Sequence, residues 1–371
     1  MRNQTKTIVL ASIPHTAEGN PFSEWLYSNL GPEIDLRWFS WRAALFGRYS
    51  IMHLHWPEYL FGGSSRFRTG VKAILGFALL ARLYLLRVPV IQTVHTRDPY
   101  DGVGPVTRLE SRLLCRRIVF RIYLNESPEN DLREGCVILL GRYEAPPGYA
   151  RQRTAGTRLI TFGLLRAYKG LENLLAAFRG LEQQGLRLEI MGKALKPEFG
   201  RLIANSAALD PRVELAMRRV SDEELSSALS RSDLVVLPYH TMYNSSALLL
   251  ALDHQVPVLA TNSPSNLAIQ REVGAAWLQL FDGELDATAL SSAIREVSIH
   301  VKERATPPDL SRRDWAAIGE LHSLIFLFTG GTPKEARRIS VWRAHLRAQV
   351  EATPAFGYHS PMNLSREQAR R

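Results

Sequence analysis

Residues 159–170, Leu-Ile-Thr-Phe-Gly-Leu-Leu-Arg-Ala-Tyr-Lys-Gly, constrain this chain more than any other stretch. A short apolar run of strand type ends at Gly163, and an amphipathic run of helical period begins at Leu171. The loop between them carries Arg166 and Lys169. Glycine at a strand-to-helix turn lets the backbone approach a ligand closely. The helix start offers free N–H groups and a partial positive charge. Two cations on such a turn suit a diphosphate, although the same residues also describe a solvated loop with a plain turn.

The chain then alternates strand and helix. Strands are expected at 159–162, 186–191, 213–215, 233–239 and 256–260, with helices at 171–181, 198–204, 221–230 and 247–253. Ser221 with Glu224 reads as a capping box. The buried run from Asp233 ends at Tyr239. Asn244, Ser245 and Ser246 are small polar residues at a helix start, suited to phosphate or to simple N-capping. The first half has the same character, with strands expected at 7–13, around 51–55, from 88 to about 95, at 119–124 and at 137–140.

In a doubly wound α/β domain the loops after the strand C-termini line the ligand crevice. His15, Glu18, Gly19 and Asn20 are thereby placed to touch a substrate, or to make only a Gly-Asn-Pro turn. Alternation puts His53 and His55 on one face of a short strand. Pro57 stops that strand and leaves Trp56 and Glu58 at its end. The two histidines have no third ligand nearby in sequence, which favours hydrogen-bonded core histidines over a metal site. A further strand delivers His95 and Asp98 to the same edge.

A chain of 371 residues predicts about two domains. A Pro-, Gly- and Arg-containing stretch at 144–158 separates them, giving domains at 1–150 and 151–325. Residues 326–371 are expected to hold a basic helix returning to the first domain and a loose polar tail. Net charge is +10 (46 minus 36), which favours an anionic partner. The two cysteines, Cys115 and Cys136, lack zinc spacing and fit a reducing cytoplasm. No run approaches ~18 apolar residues, so no membrane span is expected. The basic, apolar segments 66–87 and 112–121 suit either core packing or contact with anionic lipid.

The Gly163…Lys169-Gly170 segment resembles the opening of the second domain of GT-B glycosyltransferases, where the matching Arg and Lys hold the diphosphate of a nucleotide-sugar. His53-Leu-His55-Trp56-Pro57-Glu58 looks like the signature near the acceptor site of bacterial exopolysaccharide mannosyltransferases of the xanthan type. The Thr-Val-His segment ending at His95 is similar to theirs as well, whereas Leu140 stands where relatives often carry His. The resemblance implies two Rossmann-like, doubly wound α/β domains facing across a cleft. It implies a metal-independent hexosyltransferase with Gly163, Arg166, Lys169, Tyr239, Asn244, Ser245 and Ser246 on the donor. Gly19, Asn20, His55 and Trp56 would meet the acceptor.

The commonest GT-B group has two glutamates where this chain has Met242 and Leu250, which disfavours that group's retaining mechanism. An inverting transfer needs a base, with Glu58, Asp98, His15 and His95 as candidates. By resemblance the donor is GDP-mannose and the acceptor a lipid-linked sugar or oligosaccharide at the inner face of the plasma membrane. A UDP-sugar hexosyltransferase, a nucleotide-sugar epimerase and a non-catalytic anion- or lipid-binding protein remain alternatives. No nucleic-acid motif is present.

Overall fold

Two six-stranded parallel sheets carry the chain. The computed structural model describes residues 6–15, 21–61, 66–96, 104–152, 155–299, 306–332 and 339–353. The backbone divides into two compact units, one running to Gly141 and resuming at Ser311, the other spanning Arg142–Leu310. The sequence reading put these boundaries at 150 and 325.

The first unit opens with β1 (Thr7–Ala11), α1 (Pro21–Ser28), β2 (Ile34–Arg37), α2 (Trp41–Phe46) and β3 (Ile51–Leu54). It continues with α3 (Pro57–Phe61), α4 (Arg66–Leu85), β4 (Val90–Val94), α5 (Pro105–Cys115), β5 (Ile118–Tyr123) and β6 (Gly135–Val137). In the second unit β7 (Thr157–Phe162), α6 (Leu171–Arg179), β8 (Leu186–Met191), α7 (Pro197–Ala207) and β9 (Val213–Ala216) form one half. The other half is α8 (Asp222–Ser230), β10 (Leu234–Leu237), α9 (Ser246–Asp253), β11 (Val258–Thr261), α10 (Pro264–Val273), β12 (Leu278–Phe281) and α11 (Ala287–Ile299). Helices α12 (Trp315–Gly331) and α13 (Ile339–Ala352) belong to the first unit.

Strand order in the second unit is β12-β11-β10-β7-β8-β9. This is the dinucleotide-fold order, whose direction reverses between the first and fourth strands, here β7 and β10. The first unit has the order β2-β1-β3-β4-β5-β6, with its reversal between β1 and β3. Ligand crevices in such sheets open at the C-terminal ends of the strands flanking the reversal.

The central strands are apolar on both faces because helices cover both sides of a parallel sheet. All four residues of β10 are fully buried. Leu159, Leu174, Phe178, Leu188, Ile190 and Leu234 sit at the centre of the second core. In the first unit Leu10, Met52, Leu54, Phe61, Leu79 and Leu83 do the same. Asp314 caps α12 by accepting from the N–H groups of Ala316 and Ala317. That helix packs on α1, β1, β2 and β3. Gly319 permits the close approach: a Cβ there would stand 1.9 Å from the carbonyl oxygen of Asn29.

Candidate active site

In the second unit β7 ends at Phe162 and Gly163 turns the chain with φ +94, which favours glycine. The backbone there is crowded, since a Cβ on Gly192 would lie 2.0 Å from the Gly163 carbonyl oxygen. A 3-10 turn at Ala167–Lys169 follows, and Gly170, with φ +62, starts α6 without a side-chain cap. The first N–H groups of α6 are thus left to a ligand or water.

Lys169 does not extend into solvent, as the solvated-loop alternative would have it. It is 7% exposed, donates from Nζ to the Phe162 carbonyl at 3.3 Å, and lies 4.9 Å from the centre of the Tyr239 ring. Burial, and secondarily the charge of Arg166, push its pKa down to about 8. Arg166 is half-buried, and its Nε has no hydrogen-bond partner among the described residues. Tyr239 follows β10, so Gly163 and Tyr239 stand at the ends of the two strands that flank the reversal. Gly163, Arg166, Lys169 and Tyr239 therefore form one cationic corner.

Asn244 is half-buried just before α9. Ser245 is the N-cap of that helix, its Oγ accepting from Leu248 N–H at 3.2 Å. Exposed Ser246 hydrogen-bonds the Tyr143 hydroxyl, whose pKa burial raises to about 12. The capping role is therefore filled by Ser245 alone. Behind these residues Ser265 donates to the Met242 carbonyl at 3.1 Å, and Asn266 donates to the Thr261 carbonyl at 2.8 Å.

In the first unit β3, β4 and α1 bring together a set that the sequence reading recognised only in part. Buried Tyr27 places its hydroxyl 2.9 Å from His53 Nδ1 and 2.7 Å from His55 Nε2. His55 Nδ1 lies 2.9 Å from His95 Nε2, and His53 Nε2 lies 2.9 Å from the Thr93 hydroxyl. Half-buried His95 stacks on Trp56 with ring centres 4.1 Å apart. Ser12, just past β1, accepts from His55 N–H at 2.9 Å, which fixes the cluster at the strand reversal.

Burial lowers the pKa of His53 and His55 well below the usual imidazole value, and neighbouring histidines lower it further. Burial brings His95 down to about 3 and His322, on α12, to about 4. The rings are neutral at pH 7.

The other predicted residues fall outside this cluster or outside the described residues. His15 is exposed, its ring tilted against Trp38 at 5.0 Å. Glu58 lies in α3, which Pro57 begins; its side chain is not among those described. Gly19, Asn20 and Asp98 lie outside the described residues. Tyr27 carried no sequence signal, because its partners are 26 and 28 positions away.

A family model for glycosyl transferases group 1 matches residues 156–298. A GDP-mannose:glycolipid 4-beta-D-mannosyltransferase of Xanthomonas campestris pv. campestris is 37% identical over 331 residues, covering 89% of this chain and 94% of the relative. The chain belongs to this mannosyltransferase family. It is a glycosyltransferase with the GT-B fold. Among solved structures, HepE of Anabaena with UDP superposes with a TM-score of 0.54 at 12% identity, over 94% of this chain and all of that one. Sucrose-phosphate synthase of Thermosynechococcus elongatus does so with a TM-score of 0.54 at 15% identity, over 94% and 99%. Those two likenesses concern the fold.

Proposed function

We propose that this glycosyltransferase moves mannose from GDP-mannose to a glycolipid acceptor, with inversion and without a metal, in exopolysaccharide synthesis. The observation that carries this reading is the near full-length similarity to a mannosyltransferase of that specificity, together with the buried cationic corner at the β7–β10 reversal. Arg166 and Lys169 face the leaving diphosphate in this reading, aided by the uncapped start of α6. Prearranged cations of this kind stabilise charge as it develops on the leaving group. Asn244 and Ser246 contact the donor, and Trp56 offers an apolar face to the acceptor sugar.

His95 is our choice of base among the four candidates. Its ring is held from behind by His55, as a base is held by an orienting group in other activated pairs. Burial keeps the ring neutral at pH 7, the form a base requires.

The acceptor lipid reaches the enzyme at a membrane surface. Helix α4 supports this part of the reading, because residues 67, 71, 74, 78, 81 and 85 repeat at helical spacing and all are exposed. They are Phe67, Val71, Ile74, Ala78, Ala81 and Leu85, with Phe67, Ile74 and Leu85 exposed at 80%, 74% and 81%. Leu79, Leu80 and Leu83 turn inward instead and pack into the core. Exposed Arg68, Arg87, Arg108 and Arg112 lie on or beside α4 and α5, and such cations attract anionic headgroups. Among the described residues no helix is long and apolar enough to cross a membrane. The protein acts at the cytoplasmic face in this reading, and nucleic acid is not a partner.

Thermal unfolding with GDP, UDP, ADP and dTDP tests the donor. A nucleotide at ~100 times its dissociation constant stabilises by about 2.7 kcal/mol. Stabilisation by GDP, followed by EDTA-resistant mannose transfer to a lipid acceptor, is the expected result. Stabilisation by UDP alone would move the protein to the UDP-sugar enzymes.

A further inference from the structure

Aromatic rings follow one another along the C-terminal edge of the first sheet. In the strand order β2-β1-β3-β4 the exits carry Trp38, His15, Trp56 and His95. Backbone bonds hold these exits together. Phe39 N–H donates to the Ile13 carbonyl at 3.1 Å, and Ser12 N–H donates to the His53 carbonyl at 2.8 Å. Trp56 and His95 belong to the site already described, whereas Trp38 and His15 have no part in it. We infer that Trp38 and His15 form a second sugar subsite, which takes the pyranose unit next to the accepting one in an oligosaccharide acceptor. The inference rests on the sugar-transfer reading above and extends it from one sugar to two.

Trp38 is half-buried rather than sealed in the core. Its ring stands perpendicular to that of Tyr27, with centres 5.2 Å apart, and the exposed His15 ring is tilted against it at 5.0 Å. Tyr27 is buried and pinned at its hydroxyl by His53 and His55. The indole thus rests on a fixed ring, and little side-chain freedom is lost when a ligand settles on it. A tryptophan that serves only as core usually finds a partner for its N–H. Among the described residues neither the Nε1–H of Trp38 nor a ring nitrogen of His15 is hydrogen-bonded.

The chemistry of this pair fits a sugar. A pyranose with equatorial hydroxyls presents axial C–H groups on its faces and hydroxyls around its rim. An indole face covers the C–H groups by apolar burial, and the N–H at its edge donates to a rim hydroxyl. His15 adds an imidazole that donates and accepts beside the same ring. An apolar protein partner would cover these ring nitrogens without pairing them, which costs free energy. An anion would find no spare cation in Arg37, which is paired with Asp35 at 2.6 Å. Because β1 lies between β2 and β3, the exits carrying Trp38 and Trp56 stand two strand spacings apart, about 10 Å. A disaccharide bridges that span and a single sugar does not.

The test is a 19F NMR titration of the full-length protein labelled with 5-fluorotryptophan, with cellobiose and methyl β-glucoside as probes. Both probes have all their ring hydroxyls equatorial. Trp38→Phe and Trp56→Phe identify the two resonances among the seven tryptophans. Cellobiose should move both resonances and bind about 5-fold or more tightly than methyl β-glucoside, since the second sugar adds a tryptophan contact. His15→Ala, at an exposed position, should weaken cellobiose about 3-fold or more through the lost hydrogen bond, with Tm unchanged. An unmoved Trp38 resonance, equal affinity for the two probes, or full affinity in His15→Ala would each overturn the subsite. Should the protein transfer mannose while its Trp38 resonance ignores cellobiose, the transfer reading stands and the subsite falls. Should it bind cellobiose across both tryptophans but transfer no sugar, the saccharide site stands and the transfer reading fails.

Discussion

Lys169 Nζ stands 4.9 Å over the ring of Tyr239, with almost no access to solvent. A cation so placed costs stability until an anion reaches it. Its folded-state pKa of about 8 lies below the ordinary 10.5, and ~1.36 kcal/mol per unit puts the cost on the order of 3 kcal/mol. Because the folded value is the lower one, the cost is fully present below pH 8 and disappears as the pH rises toward 10.5. Lys169→Met is therefore expected to unfold at a higher temperature than the wild type at pH 7, with the gap closing by pH 10.5. The same variant should lose stabilisation by GDP. A destabilised Lys169→Met with intact nucleotide binding would contradict the assignment.

Glu110 gives a second pH dependence, of opposite direction and the same cause. Its side chain is fully buried on α5, and neither carboxylate oxygen has a hydrogen-bond partner among the described residues. Burial raises its pKa to about 7. Here the folded value is above the unfolded one, so relative stability is highest below pH 4.5 and is lost as the pH climbs through 7. Glu110→Gln should equal the wild type in melting temperature near pH 4.5 and exceed it at pH 8. Equal melting temperatures at both pH values would show that the carboxylate finds a partner.

Gly170 holds φ +62, and a Cβ there would lie 2.1 Å from the Pro238 carbonyl oxygen. Alanine meets both a backbone strain and a clash at the residue that joins the Lys169 turn to α6. Gly170→Ala should cost more than about 1 kcal/mol in denaturant unfolding and weaken nucleotide binding more than a surface substitution does. Wild-type stability would mean that the turn yields easily.

The α4 stripe is tested by Ile74→Glu combined with Leu85→Glu, two exposed positions outside the core. Wild-type protein should co-sediment with vesicles rich in phosphatidylglycerol, less so at high salt. The double variant should stay in the supernatant with an unchanged melting temperature. If it still sediments, or if the wild type proves to be a dimer joined through this stripe, the membrane reading of α4 is wrong.

Much of the fold was legible because parallel strands are continuous apolar runs. Leu186–Met191 was read to its last residue, and the Ser221 cap accepts from the Glu224 N–H as its capping box implies. Elements of four to six residues with mixed polarity, β2 and α2, gave no periodicity to read. Pro57 reads as a strand stop in the sequence, but it opens α3, since proline suits a first helical turn as well. The shared side of His53 and His55 followed from alternation. Their common partner Tyr27 did not, because a contact between α1 and β3 leaves no mark in local spacing. Likewise nothing in a Gly-Lys loop says that the lysine is buried; that depends on Tyr239, seventy residues on.

The chain leaves the first unit at Gly141 and re-enters it at Ser311, so the second unit is an insertion in the sequence of the first. A ribosome therefore completes the second unit while the first one still lacks α12. Until Phe326 has been synthesised, the side of His53 that this ring covers has no cover at all. The order of synthesis thus makes the first unit the last to close, and the one in which a stalled or truncated chain would expose apolar surface to chaperones.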